Sequence, residues 1–192
     1  MTEHVIEANY DKSTIRVYQA YGAEIAVSSI AAGRPLPPFK MNRMTWIKPS
    51  FNWMMYRSGC AQKKDQEFVL ALDIYRDGFE WALANSVSSS FVKGIYQTED
   101  YWRSELEAKP VRVQWDPERD WRLRRIPSTS TIQIGLSEGA VSRYVNDWIS
   151  AITDVTAIAH AISVAEDQPN LGPWTTERIY PLPPALKGVC TT

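Results

Sequence analysis

A nine-residue run, EFVLALDIY from Glu67 to Tyr75, constrains the fold more than any other part of the sequence. Its apolar side chains fall on both faces of an extended chain. A strand that is apolar on both faces has to lie inside a sheet, with other layers covering it. The sequence therefore predicts a central strand here, and the rest of the chain has to be arranged around it.

Shorter patterns predict both strands and helices around this segment. Ser13–Ala20 is β-branched and aromatic, and Ala23–Ala32 has helical spacing before the stop at Gly33. Met44–Lys48 is a second strand, after which Ser50 caps a helix that runs to Gly59. A helix with an Asp77/Glu80 capping box is predicted through Ala84, followed by a flexible loop at 85–90 and a helix at Ser104–Ala108. Strands are predicted at Val111–Trp115 and Thr131–Leu136, with a turn at Asp116–Asp120 between them. The last predicted element is a long helical region from Val141 to Ile162.

The order of these elements lacks regular strand–helix alternation, which argues against a doubly wound parallel sheet. We predict an α+β fold, in which a bent, mostly antiparallel sheet carries flanking helices. With 192 residues, of which 44% are hydrophobic, the chain is long enough for one domain, residues 1–192, with irregular termini at 1–12 and 183–192.

The charge balance and the cysteine count exclude several classes of protein. A net charge of −1 supplies no bulk attraction to nucleic acid or to an anionic membrane. No run of about 18 apolar residues is present, so we expect no membrane partner. Two cysteines and the absence of a signal-peptide pattern predict a cytoplasmic protein. The sequence has neither CxxC pairs nor HExxH, and no metal is expected; it does not indicate an oligomeric state.

The segment RMTWIKPSFNWMMYRSG, from Arg43 to Gly59, mixes aromatic residues with three cations, Arg43, Lys48 and Arg57. Aromatic faces beside fixed cations can stack a planar ring and hold a phosphate or carboxylate group. The alternative is an amphipathic helix that follows a strand, with its cations in solvent. The segment thus suggests a nucleotide-like ligand and leaves the plain structural interpretation open.

Four motifs carry a resemblance over nearly the whole chain. They are VYQAY at 17–21, the PPF and RMTWIKPSF–WMMYRSG block at 37–59, VRVQWDPERD at 111–120 and STSTIQIGLS at 128–137. Together they resemble the family called domain of unknown function 4291. That name implies relatedness and carries no activity.

The order of the elements is also similar to that of ADP-ribosyltransferase-like domains, including the RNA 2′-phosphotransferase branch. This resemblance implies a split, bent sheet that clamps NAD. Laid onto this chain, it implies catalytic roles for Gln133 and Glu138, one of which would fix the ribose hydroxyls and stabilise an oxocarbenium-like state. It implies cofactor-binding roles for Arg16, Tyr18, Arg43, Trp46, Lys48, Ser50 and Arg57, with the cations on pyrophosphate and the aromatics on nicotinamide.

The expected function is therefore that of a nucleotide-binding domain with NAD as cofactor and ADP-ribosyl transfer to an unknown acceptor as its activity. The alternative is a non-catalytic module that binds RNA or protein through the same aromatic and basic surface. A structural interpretation of single residues also stays open. Tyr18 and Trp46 would then belong to the core, Arg16 would face solvent, and Ser50 would only cap a helix. We predict one pocket that brings residues of three stretches together, including Arg16, Lys48 and Gln133.

Overall fold

The apolar segment forms strand β4 (Phe68–Tyr75), and the prediction that it is central is confirmed. In the computed structural model, which describes residues 4–174 and 176–191, β4 lies between β2 (Thr14–Tyr21) and β8 (Ile149–Asp154). Both pairings are antiparallel, and β2 pairs with β4 over its whole length. This three-stranded sheet is the first of the two larger sheets.

The second larger sheet has four strands in the order β3–β7–β6–β5. Its strands are β3 (Thr45–Ile47), β7 (Arg125–Leu136), β6 (Val111–Arg119) and β5 (Ser86–Ser88). The pairing of β5 with β6 is parallel, and the other two are antiparallel. A two-stranded antiparallel sheet joins β1 (Glu7–Ala8) to β9 (Arg178–Ile179), so a strand lies within the N-terminal segment that was expected to be irregular.

Six α-helices flank these sheets in the described part of the chain. They are α1 (Ala23–Ala32), α2 (Phe51–Ser58), α3 (Arg76–Ala84), α4 (Glu99–Ala108), α5 (Gly139–Arg143) and α6 (Thr156–Ser163). A π-helical turn at Tyr144–Trp148 follows α5, and 3-10 turns lie at Gly172–Trp174 and Pro184–Thr191. None of the helices in residues 4–174 and 176–191 has the length and apolar character needed to cross a membrane. The fold is α+β, as predicted, with mixed sheets.

Two apolar clusters cover the two faces of β4. Leu70, Leu72 and Ile74 pack into the larger cluster, which also contains the inward-facing residues of β6 and β7. Val69 and Ala71 face the smaller cluster, to which α2 and α6 contribute their buried sides. Burial on both faces explains why β4 has a continuous apolar sequence and no polar alternation.

The predicted long helical region from Val141 to Ile162 is confirmed at both ends, as α5 with the π-helical turn and as α6. The prediction is wrong at Ile149–Asp154, which form strand β8. The apolar residues of this region fit a helical period, but β4 needs a partner for the backbone groups on its second side. Strand β8 supplies that partner, with Ile152 opposite Leu72, and it is an edge strand with mostly exposed side chains. Tertiary pairing therefore overrides the local pattern.

Three shorter predictions are also wrong. Helix α3 begins at Arg76, directly after β4, and no side chain caps it, so the Asp77/Glu80 capping box does not exist. The loop predicted at 85–90 contains β5, which is stabilised by pairing with β6. The turn predicted at Asp116–Asp120 is the continuation of β6, whose register shifts between Pro117 and Arg119. Beyond Val113 β6 has no β5 partner, and an edge position tolerates a proline.

Across residues 4–174 and 176–191, one backbone bridge joins the two larger sheets. The Tyr18 amide donates to the Lys48 carbonyl at 2.7 Å, and beyond this bridge β2 and β3 are not paired. The side chain of Gln19 spans the gap instead: its Nε2 donates to Thr45 Oγ1 at 2.7 Å and to the Trp46 carbonyl at 3.1 Å. Its Oε1 accepts a hydrogen bond from the buried Tyr144 hydroxyl at 2.7 Å. The side chain of Gln19 thus supplies the hydrogen bonds between β2 and β3 where their backbones are no longer paired.

We expect Gln19→Leu to lower the free energy of unfolding by roughly 2–3 kcal/mol. The substitution keeps the apolar bulk but leaves the Tyr144 hydroxyl and the Trp46 carbonyl without this partner, and buried unsatisfied groups carry a desolvation penalty. Urea denaturation of both proteins measures the difference. The matched control is Gln62→Leu at an exposed turn position, which should change stability by less than about 0.5 kcal/mol. Equal effects of the two substitutions would contradict a bridging role for Gln19.

Candidate functional site

A cavity of about 990 Å³ opens where β2 and β3 diverge. Its walls come from the end of β2, the start of α1, the connector that precedes β3, one side of α2 and the loop before β4. Five cations and three carboxylates line it: Lys40, Arg43, Lys48, Arg57 and Lys64, against Glu24, Asp65 and Glu67. The excess of positive charge makes the cavity suited to an anionic ligand.

Lys48 is the most constrained of these cations. Lys48 directly follows β3, at the bridge to β2, and the residue is only 6% exposed. Nζ donates one long hydrogen bond, 3.4 Å, to the Trp46 carbonyl, and the described residues give it no carboxylate partner within ion-pair distance. Burial, followed by the charge of Arg57, lowers the pKa of Lys48 to about 8, while Asp116 acts in the opposite direction. The site therefore holds an ammonium group that the described residues leave almost uncompensated.

The other four cations of the cavity are exposed, and none of them forms an ion pair with a residue that the structure describes. Arg57 belongs to the last turn of α2, and Arg43 lies in the connector that leads to β3. Their guanidinium groups are thus free to turn toward an anion without breaking an existing ion pair. Planar guanidinium groups hold phosphate and carboxylate through two parallel hydrogen bonds.

Trp46 forms an aromatic wall of the cavity, and the lack of a side chain at its partner Gly135 lets it lie there. Trp46 pairs with Gly135 of β7, where a Cβ atom would lie 2.9 Å from the indole Cζ2 and 2.9 Å from Met44 Sδ. Only a residue without a side chain lets the indole lie this close to the strand. The same face of the sheet carries Gln133, two residues from Gly135 along β7.

Arg16 and Tyr18 lie outside the lining of this cavity. Arg16 forms a bidentate ion pair with Asp73 of β4, with Nε–Oδ1 at 2.8 Å and Nη2–Oδ2 at 2.9 Å. Its guanidinium also stacks on the indole of Trp174, 4.5 Å from the ring centroid. Tyr18 is fully buried against Phe51, and burial raises the pKa of its phenol. These contacts give both residues structural roles in the described chain.

The start of α2, where Ser50 was expected to help bind an anion, already holds two carboxylates of the chain itself. The Phe51 amide donates to Glu177 Oε1 at 2.5 Å, and the Ser50 hydroxyl donates to Glu118 Oε1 at 2.9 Å. Ser50 also accepts a hydrogen bond from the Trp53 amide, as an N-cap does. Burial raises the pKa of both carboxyl groups, that of Glu177 more strongly. At the start of α2, the Ser50 hydroxyl and the Phe51 amide are therefore already hydrogen bonded to carboxyl groups of the chain.

Neither member of the predicted catalytic pair lines the cavity. Gln133 Nε2 donates a short hydrogen bond to Asp116 Oδ2 of β6. Glu138 lies just before α5 with a positive φ of 48°, and its charge acts on Arg112. Of the nine predicted site residues, the cavity thus brings together four: Arg43, Trp46, Lys48 and Arg57.

Sequence reasoning missed three residues of the site: Gln19, Lys40 and Lys64. Gln19 is only 4% exposed, and its position within VYQAY, a polar residue among apolar ones, was the available signal. Lys40 and Lys64 lie in a connector and a polar loop, where nothing distinguishes them from solvated charges. Among the described residues, no group of three or more His, Cys, Asp or Glu side chains is arranged to hold a metal ion.

Comparison with known proteins assigns a family and no activity. The search of curated proteins finds no match. A family model described as Domain of unknown function (DUF4291) matches residues 5–179, a range that includes the nine strands of the described chain and the described residues that line the cavity. The match covers nearly the whole chain and agrees with the motifs at 17–21, 37–59, 111–120 and 128–137. The chain belongs to the DUF4291 family.

Proposed function

We propose that this cavity binds a nucleotide with a pyrophosphate group, of the NAD or ADP-ribose type. The observation that carries the proposal is the Lys48 ammonium, which is buried at the cavity wall without a carboxylate partner among the described residues. A buried charge without a counter-ion is unfavourable, and an anionic ligand removes that penalty. The ligand that compensates Lys48 is expected to be an anion small enough to reach the wall.

Phosphate fits this requirement better than an isolated carboxylate does. Arg57 raises the local positive potential at Lys48, and Arg43 and Arg57 have no ion-pair partners to give up in the described structure. A pyrophosphate carries two negative charges and several acceptor oxygens, so it can engage the ammonium and a guanidinium fork at once. Two neighbouring cations would bind it more tightly than either would alone.

The aromatic wall and the volume suit the remainder of a dinucleotide. Trp46 offers an indole on the cavity side of β3, and stacking on a base or a nicotinamide ring is the role proposed for it. A volume of about 990 Å³ is at the upper end of the range for small-molecule sites, which is expected for a ligand with two ring systems.

ADP-ribosyl transfer to an unknown acceptor is the reaction we propose, by resemblance to ADP-ribosyltransferase-like domains. Two observations support it. The larger sheets meet at one bridge and then diverge, which is similar to a split sheet that clamps NAD. Gln133 lies on the same face of the second sheet as Trp46, and its side-chain amide donates a hydrogen bond to Asp116. Nucleotide binding has the stronger support, because it depends on the cavity alone.

Isothermal titration with NAD and with ADP-ribose tests the binding. We expect Lys48→Met to weaken the affinity for both by roughly 30-fold or more, since the variant removes the buried charge that faces the phosphate. It should not lower the free energy of unfolding, because methionine fills the same space without a buried ammonium.

The matched control is Lys12→Met, which alters an exposed lysine outside the cavity and should leave the affinity unchanged. If neither nucleotide binds and a short single-stranded RNA does, the non-catalytic RNA-binding alternative replaces this proposal.

The affinity for NAD should depend on pH through Lys48. Below pH 8 the amine is charged in the free chain, so binding requires no proton uptake. Above the pKa of about 8 the free chain holds a neutral amine, and an anion that needs the ammonium must bind together with a proton. Affinity should therefore fall roughly tenfold per pH unit above pH 8, until the pKa of the complex is reached.

Titrations between pH 7 and 10 in buffers of different ionisation enthalpy measure this proton uptake. The pyrophosphate of NAD does not titrate in this range, so the change belongs to the protein. Lys48→Arg keeps its charge throughout and should give a flat profile. An affinity of the native chain that stays constant from pH 7 to 10 would remove Lys48 from the phosphate site.

A further inference from the structure

We propose that Lys48 is a nucleophilic amine that forms an imine with an aldehyde or ketone carrying a phosphate group. The inference concerns a covalent reaction of the cavity and does not require that a nucleotide binds there. Its basis is the combination of an enclosed lysine without a carboxylate partner in the described residues, an adjoining cavity, and separate arginines that can anchor an anion.

The surroundings of Lys48 differ from those of an ordinary surface lysine. Most lysines stay protonated because water or a carboxylate stabilises the ammonium. Lys48 is 6% exposed and, within the described residues, hydrogen bonded once, to the Trp46 carbonyl. The neutral amine keeps an N–H for that bond and retains its lone pair. Desolvation beside another cation is a known way to activate a lysine as a nucleophile.

The charged groups that act on Lys48 come from two elements. Arg57 of α2 disfavours the ammonium, and Asp116 of β6 favours it, while burial is the largest influence and lowers the pKa. At pH 8 about half of the Lys48 amines are neutral, given a pKa of about 8. For an exposed lysine the neutral fraction is roughly 100-fold smaller at that pH. The lowered pKa of Lys48 therefore supports the same conclusion as its burial beside the cavity.

The reacting amine and the anchors for an anion come from different elements around the cavity. Arg43 lies in the connector before β3 and Arg57 in α2, whereas Lys48 follows β3 at the bridge to β2. A phosphate on the arginines leaves Lys48 free for the carbonyl carbon, while a phosphate on Lys48 itself would keep the amine protonated. The chemical class of the ligand is therefore a small phosphorylated aldehyde or ketone.

The reaction balances without any oxidant or reductant. The Lys48 nitrogen attacks the carbonyl carbon, and a proton passes from nitrogen to oxygen to give a carbinolamine. The carbon–oxygen bond then breaks as the hydroxyl takes the remaining proton of the nitrogen and leaves as water, and a carbon–nitrogen double bond remains. The imine is reversible, and hydrolysis by water entering the open cavity returns the amine and the carbonyl compound.

Trapping with pyridoxal 5′-phosphate tests the proposal on the native chain. The protein is incubated with this phosphorylated aldehyde at pH 8, the imine is reduced with sodium borohydride, and peptide mass spectrometry measures the labelling of each lysine over time. Lys40 and Lys64 line the same cavity but are exposed, so they serve as internal references. We expect Lys48 to be labelled at least roughly tenfold faster than either reference, in keeping with its larger neutral fraction.

Two controls make the result decisive. With pyridoxal, which lacks the phosphate and also reacts more slowly with every lysine, the rate of Lys48 relative to Lys40 and Lys64 should fall at least roughly tenfold, because the contacts to the arginines are lost. Lys48→Arg should remove the fast phase, whereas Lys12→Arg should keep it. Labelling of Lys48 that is no faster than that of Lys40 and Lys64, or a rate relative to them that is equal with both aldehydes, overturns the proposal. A chain that binds neither NAD nor ADP-ribose but shows fast, phosphate-dependent labelling would refute the proposed function and leave this inference intact.

Discussion

The hydrogen bond from the Tyr18 amide to the Lys48 carbonyl is the constraint on which the rest of the architecture depends. On one side of it, β2 is held to β4 by eight consecutive residue pairs; on the other, β3 is held to β7 by three. Each sheet is thus internally fixed, but only one bridge connects β2 with β3. Twisted sheets that meet at one point have to diverge beyond it, and the cavity occupies that divergence.

The same bridge explains why an unfavourable charge lies at the cavity wall. The Lys48 backbone is required at the junction, so its side chain is carried to the place where the sheets begin to separate. A depression of its pKa from 10.5 to about 8 corresponds to a penalty of about 3 kcal/mol for the ammonium in the folded chain. An apolar residue at this position would avoid the penalty. A lysine here is best understood through what it binds or reacts with.

Local patterns sufficed for the elements whose ends or apolar runs can be recognised in the sequence itself. Strands β2 and β4 and helices α1 and α2 lie within about one residue of their predicted bounds, because Gly22, Gly33, Ser50 and Gly59 mark their ends. Strand β8 was missed because its residues fit a helical period, and only its pairing with β4, some 80 positions away, makes them extended. The buried Glu118 was missed for a similar reason: DPERD has the composition of a turn, and its acceptor role depends on Ser50.

The same distinction between local and distant contacts separates the predicted site residues that line the cavity from those that do not. Arg43, Trp46, Lys48 and Arg57 come from one continuous segment, in which strand β3, the Pro49 break and helix α2 fold back around the cavity. Arg16 was placed with them through the resemblance to ADP-ribosyltransferase-like domains. Yet the cavity begins at Gln19 and Ala20, and a residue four positions from Ala20 lies about 13 Å away along a strand.

At that distance Arg16 meets different partners. Asp73 from β4 and Trp174 from the C-terminal part of the chain hold its guanidinium. The C-terminal part also brings Glu177 onto the start of α2, where the sequence suggested a free anion site. Contacts more than 100 residues apart in sequence thus make Arg16 and the Phe51 amide anchors for that segment, while the Ser50 hydroxyl is bonded to Glu118 of β6. The phosphate-binding role is left to the cations that the cavity itself keeps free of partners in the described chain.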